Sequence, residues 1–360
     1  MREEKPRRRP RQKVVVGEII EFLEYLAPPA LSELPAPYGL QVGSATATVN
    51  TVLVAPLPTY SAISCAAAYK AALLITASPL LTQSLSAVHW DDPVGSKIAH
   101  LVNRQVSLYS LSNAYAIAPG GLDDSLAECL GLVAKGSLLP TTAEAQYKFV
   151  VAVPPTHLER VRNSAIEAGA SRTGHYGGIR HRQIEGESNR VDEVRLELRV
   201  SARALQGVLA AVLESHSANE VAYDIYPLHN PGTMYGRGRV GELPLEVSLE
   251  TVLAQVTDAL ELGTTSTPRC FARTKLPISS LAVVSGTEVG AKLLHAAIRQ
   301  EVGAVITGGV SVTDQILVDG ASTVLIDVGF APSVAPGLRR LVNQLEETFS
   351  GDSIQIIYTE

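Results

Sequence analysis

Apolar and polar positions along this chain fall into blocks whose period changes, and the period assigns most of the elements. In VVVGEIIEFLEYLAP (14–28), Ile19, Phe22, Leu23 and Leu26 share one helical face while Glu18, Glu21 and Glu24 interrupt the apolar run. This predicts an amphipathic first helix stopped by Pro28 and Pro29. TVLVAPLP (51–58) is a continuous β-type run, SAISCAAAYKA (61–71) is helical and Ala-rich, and ALLITASP (72–79) is a second β-type run. The same strand, helix, strand order returns at SLAVVSGT (280–287), EVGAKLLHAAIRQE (288–301) and GAVITGGV (303–310). Both copies end their second strand in Ile-Thr, at Ile75-Thr76 and Ile306-Thr307, which predicts an internally duplicated α/β core. Each copy gains a further strand, QVSLYSLS (105–112) and STVLIDVG (322–329). Strands alternating with helices imply mostly parallel sheets, whose chemistry sits beyond the strands' carboxyl ends. Thr76 to Pro79, Ser112 to Ala116, Thr307 to Asp314 and Gly329 to Val334 are therefore the places to inspect.

Between the copies the rhythm differs. YKFVVAV (147–153) is strand-like, and PTHLERVRNSAIEAGA (155–170) is a helix opened by Pro. HYGGIRHRQIEG (175–186) is a Gly-rich loop or hairpin, and DEVRLELRV (192–200) alternates with period two. SARALQGVLAAVLESH (201–216) is helical with Ser201 as its cap, and NEVAYDIYPL (219–228) is a strand. This β-α-β-β-α-β order is that of a ferredoxin-like α+β domain inserted into the core. The predicted organisation is a basic tail over 1–15, a first lobe over 16–145, the insert over 146–228, and a return linker with the second lobe over 229–360.

Composition narrows the function. The 360 residues carry 30 Lys and Arg against 36 Asp and Glu, a net charge of −6, which does not support a dedicated nucleic-acid binder. The exception is the terminal block MREEKPRRRPRQK, read as a solvated tail in preference to a polyanion-binding arm. No stretch reaches the ~20 apolar residues of a membrane span. Cys65, Cys129 and Cys270 lie far apart without zinc or disulfide spacing, so they read as small core residues of a cytoplasmic protein.

Several segments carry a family resemblance: YGLQVG (38–43), LLITASPL (73–80), DPVGSKIAHLVNRQVSLYS (92–110), APGGLDDSLAECLGL (118–132), YKFVVAVP (147–154) and EVAYDIYPLHNPG (220–232). They resemble the Nif-three-like proteins, known also as GTP cyclohydrolase type 2 homologues or dinuclear metal centre proteins. The resemblance implies two α/β lobes forming one core, a PII/CutA-like insert, and a homohexamer built as a dimer of trimers. It also implies two bound divalent metal ions, but the ligand positions do not carry ligands. The family's His-His-Pro falls on Ala77, Ser78 and Pro79; its His-Thr-x-x-Asp begins at Ser112-Asn113 and ends at Ala116; its late His-x-x-x-Glu falls on Phe330 and Val334. The Trp-Asp of an early motif is replaced in LPAPYGL (34–40). Ala, Phe and Val have no lone pair to offer, and a neutral Ser hydroxyl is a poor substitute for imidazole or carboxylate.

These substitutions lead to a non-catalytic, cofactor-free oligomer whose small-molecule or protein partner the sequence does not name. The alternative is a metal-dependent hydrolase acting on a nucleotide or phosphate ester through other ligands, with Asp314 and Asp327 as a carboxylate pair near Thr307 and Asn113. Their structural roles would be a helix-start residue for Asp314 and a strand-end acceptor for Asp327. His175, Arg180, His181 and Arg182 in the insert form a basic cluster that could hold an anion. Gly120 and Gly121 supply backbone freedom ahead of a helix, YGRGRVGE (235–242) reads as a returning loop, and His89 beside Trp90 as a packed loop.

Overall fold

The computed structural model describes residues 13–31, 38–171, 175–182, 191–217, 221–230, 232, 234–263, 267–271, 276–286, 289–350 and 354–360. The chain opens with α1 (Val16–Leu26), β1 (Gly39–Val42), β2 (Thr51–Ala55), α2 (Tyr60–Ala68), β3 (Leu73–Thr76), α3 (Pro93–Asn103) and β4 (Ser107–Ser110). Helices α4 (Ser112–Ile117) and α5 (Leu122–Cys129) and strand β5 (Val133–Ala143) follow. Caps set several boundaries: Thr59 accepts from the amide of Ala62 ahead of α2, and Asp92 accepts from Val94 and Gly95 ahead of the Pro-started α3.

Strands β6 (Gln146–Val153), β7 (His175–Arg182), β8 (Val191–Ser201) and β9 (Tyr223–Leu228), with helices α6 (Leu158–Glu167) and α7 (Leu205–Ser215), form a compact unit spanning Thr141–Tyr235. Its antiparallel sheet has the order β7-β8-β6-β9, the ferredoxin-like arrangement. Phe149, Val151, Leu196 and Leu198 pack with Val161, Val208 and Val212 of the two helices. The cap of α7 is Ala204 and not Ser201, which instead closes β8 and accepts from the Ala204 amide at 3.3 Å.

The chain then adds β10 (Met234–Val247), α8 (Leu249–Ala259), β11 (Arg269–Phe271), β12 (Ile278–Val284), α9 (Ala291–Arg299), β13 (Ala304–Thr307), α10 (Val312–Val318), β14 (Val324–Asp327), α11 (Phe330–Thr348) and β15 (Gln355–Tyr358). YGRGRVGE is thus not a loop: it lies within the 14-residue β10, which pairs antiparallel with β12. The second compact unit comprises Met1–Pro140 and Gly236–Glu360 and holds two sheets. One runs β1-β4-β3-β2-β15 and the other β11-β14-β13-β12-β10-β5. Strands β2, β3, β4, β13 and β14 are buried at every position, as parallel strands covered on both faces must be. The duplication extends to side chains: Thr76 Oγ1 donates to Ser78 O at 2.8 Å and Thr307 Oγ1 to Gly309 O at 3.3 Å. Strand β15, the last in the chain, pairs parallel with β2, so the final segment crosses from the second sheet's lobe to the first sheet's edge.

The tie between α5 and the second sheet rests on one carboxylate. Asp123, in the first turn of α5, is fully buried. Its Oδ1 accepts from the Ser285 amide at 2.8 Å and the Ser285 hydroxyl at 2.6 Å, and its Oδ2 accepts from the Gly238 amide at 2.7 Å. The Arg237 guanidinium stands 3.8 Å away. Next to it, Asp124 accepts from the Gly120 amide and pairs with Arg239, whose other nitrogens donate to Gly236, Gly238 and Ile117 carbonyls. Gly120 takes a φ of +70°, and a Cβ on Gly121 would lie 1.8 Å from Tyr115 O. Both glycines are therefore required for the turn that aims the two aspartates. We expect Asp123→Ala to cost about 3–5 kcal/mol, since it strands buried donors and a cation. Asp124→Ala should cost less, because Asp124 keeps partial solvent access; urea unfolding of both variants measures the difference.

Candidate functional site

The sequence-selected positions lie at the carboxyl ends of both sheets and on α11. Ala77 and Ser78 follow β3, with their amides directed to Ala55 O and Pro56 O at 3.4 and 3.3 Å. Ala77 is 7% exposed. Ser112 opens α4, Asn113 is exposed, and Ala116 is 2% exposed on the same short helix. Ser110, the last residue of β4 and the register partner of Thr76, buries a hydroxyl that has no hydrogen-bond partner among the described residues.

Phe330 starts α11, and Val334, one turn on, is fully buried. Ser333 fixes that turn to the chain leaving β12 in the same sheet: its hydroxyl donates to Phe330 O at 2.7 Å and accepts from the Gly286 amide at 3.0 Å. A Cβ on Gly286 would stand 3.8 Å from Phe330 Cε2, which places the ring against the chain leaving β12. The inward face of α11 continues through Gly337, where a Cβ would meet Leu122 at 2.7 Å, and Tyr115 donates to Gly337 O at 3.3 Å. Helices α4, α5 and α11 therefore meet with little room between them.

The carboxylates considered as alternative ligands are occupied separately. Asp314 is fully buried and forms a capping box with Ser311, using one oxygen; the other has no hydrogen-bond partner among the described residues. Asp327 accepts from the Gly329 amide at 2.9 Å and pairs with Arg269. Thr307 lies beside Asp327 in the β13–β14 register. Among the described residues, no three or more His, Cys, Asp or Glu side chains gather as a metal site would require. Strand β7 carries His175, Arg180, His181 and Arg182, and its register sets His175, Arg180 and His181 opposite Glu197, Glu193 and Asp192 of β8. His89 and Trp90 do not form a packed loop: Trp90 is 76% exposed, and residues 82–93 are exposed throughout.

Sequence reasoning missed Asp123, Asp124, Arg237, Arg239 and Ser285 as a set. The adjacent acidic pair after two glycines and the spaced arginines of YGRGR were the available signal. The three cysteines are free and partly buried.

A duplicated α/β core interrupted by a ferredoxin-like unit defines the class. The chain belongs to the Duf34/NIF3 (NGG1p interacting factor 3) family, whose model matches residues 14–360. It is 30% identical over 332 residues to the GTP cyclohydrolase 1 type 2 homolog of Halalkalibacterium halodurans, covering 87% of this chain and 88% of that one. The corresponding homolog of Bacillus subtilis is 30% identical over 308 residues, covering 81% of each chain. A solved Bacillus cereus protein related to NIF3 superposes with a TM-score of 0.86 at 28% identity, covering 97% of both chains.

Tyr109 in β4 and Tyr115 in α4 flank the Ser112 position, and burial holds both phenols well above the usual tyrosine range. Glu24 and Tyr38 push Tyr109 further up, while Arg340 opposes the shift at Tyr115. Tyrosines in the unfolded chain lose their protons near pH ~10 while these two keep theirs, so the unfolded state binds fewer protons at alkaline pH. The stability they provide is full below pH ~10 and falls as the pH climbs above it. Melting temperatures measured from neutral to strongly alkaline pH should fall, and Tyr115→Phe should fall less steeply than the parent.

Proposed function

We propose that this chain is a Duf34/NIF3 protein that has lost its dinuclear metal centre and acts by binding and assembly, without hydrolysis. The observation that carries this reading is the residue set at the six positions that the family resemblance assigns to ligands: Ala77, Ser78, Ser112, Ala116, Phe330 and Val334. Two divalent ions need several imidazole and carboxylate donors converging at roughly 2.0–2.3 Å. This donor set does not fit them, and no catalytic step is assigned to a metal. The burial of Ala77, Ala116 and Val334 supports the same reading, because facing carboxylates without cations between them repel one another, and apolar residues remove that repulsion. Asp314 and Asp327 give little support to a replacement site, being engaged in a cap and an ion pair.

The assembly is a homohexamer, a dimer of trimers formed through residues 146–228. The open edge of β9 supports this, with Tyr223 and Tyr226 41% and 46% exposed beside a backbone free to pair.

Elemental mass spectrometry of the purified protein should find no stoichiometric Zn, Mn or Fe, and one or two tightly held ions per chain would overturn the reading. The combined variant Ala77→His, Ser78→His, Ser112→His, Ala116→Asp, Phe330→His and Val334→Glu should melt below the parent in metal-free buffer. Light scattering should report a hexamer for the intact chain and a smaller particle when residues 146–228 are deleted; a monomeric intact chain would contradict the assembly.

A further inference from the structure

A cavity of about 540 Å3 lies on the side of α11 opposite Phe330 and Val334, at the carboxyl end of β15. Helical spacing separates the two faces: Ala331, Pro332, Ala335, Pro336 and Arg339 line the cavity, whereas Val334, Gly337 and Leu338 are buried within the protein. Leu260, Leu262 and the two prolines give it an apolar floor.

Its polar groups are few and convergent. The Arg339 guanidinium stacks on Tyr358 at 5.6 Å from the ring centroid. Two carboxylates reach Arg339 only loosely, Glu261 at 3.4 Å and Glu360 at 3.6 Å, and both are largely exposed. Exposed ion pairs of this length contribute little and yield readily to a competing partner. Among the described residues Arg339 directs one long hydrogen bond, to Glu261, which leaves donors of its half-exposed guanidinium open to a ligand. The Tyr358 hydroxyl is shut away from water without a hydrogen-bond partner among the described residues. Burial and Glu360 push its pKa up against the pull of Arg339, which keeps it a donor. That hydroxyl is closed to a ligand as it is to water, so the rest of the Tyr358 side chain, and not its hydroxyl, borders the cavity.

The complement of one guanidinium, two carboxylates and an apolar floor matches neither a simple anion nor a simple cation. We propose that this cavity binds a short apolar peptide of dipeptide size, with its carboxylate on Arg339 and its ammonium group between Glu261 and Glu360. Its apolar side chains rest on Pro332, Pro336 and Leu260, and the volume falls within the ~300–1,000 Å3 range of small-molecule sites. The site shares no residue with the positions at which the metal ligands are missing, so its success or failure is independent of the proposed loss of the metal centre.

The test is calorimetric titration of the full-length protein with L-leucyl-L-phenylalanine, its N-acetyl derivative and its C-terminal amide. The free dipeptide should bind, and masking either end should weaken binding at least ~10-fold, the size expected for one lost charge-assisted contact. Arg339→Gln should bring the dipeptide down to the affinity of the amide without weakening the amide further. If Arg339→Gln does not fold, Glu261→Gln replaces it and should erase the preference for the free amine over the acetylated form. No detectable binding by the dipeptide, equal affinity for the free and N-acetylated forms, or full affinity in the charge-altered variant would overturn the proposal.

Discussion

A carboxylate removed from water is costly unless donors surround it, and Asp123 meets that requirement with groups from two distant parts of the chain. The Ser285 amide and hydroxyl sit at the end of β12, and the Gly238 amide belongs to β10, while Asp123 itself starts α5. None of these donors has an equivalent partner elsewhere, so the helix and the second sheet are fixed together or the charge is stranded. The neighbouring Asp124–Arg239 pair and the carbonyls that Arg239 collects extend the same tie back to Ile117 in α4. The packing of α4 and α5 against α11, and with it the placing of Ala116 and Val334, depends on that joint.

The inner and outer faces of α11 then diverge. The inner face carries Val334 and the Ser333 hydroxyl against Gly286, with Gly337 pressed on Leu122, and its donors are satisfied within the protein. The outer face leaves Arg339 held by an aromatic ring and two loose carboxylates. A satisfied, close-packed interior resists a ligand, whereas unused donors beside open volume accommodate one.

The two strand, helix, strand units and the ferredoxin-like unit were legible in the sequence because each is a matter of local period and composition. Runs such as TVLVA and LAVV bury both faces and need no partner to be recognised, and the repeated Ile-Thr endings reported the duplication. That Ala77, Ala116, Phe330 and Val334 offer no lone pair, and Ser78 and Ser112 only a neutral hydroxyl, was equally visible, since donor capacity is a property of the residue type. What the sequence could not reveal depends on contacts between residues far apart in the chain. β15 joins β2 across the whole chain, YGRGR becomes a buried strand only because Asp123 and Asp124 receive its amides and arginines, and Trp90 remains exposed despite its apolar character. The outer cavity likewise exists only where β15, α8 and α11 converge. Local physics determines the elements; the burial of a charge and the crossing of the last strand determine how they are joined, because both energies appear only when distant segments meet.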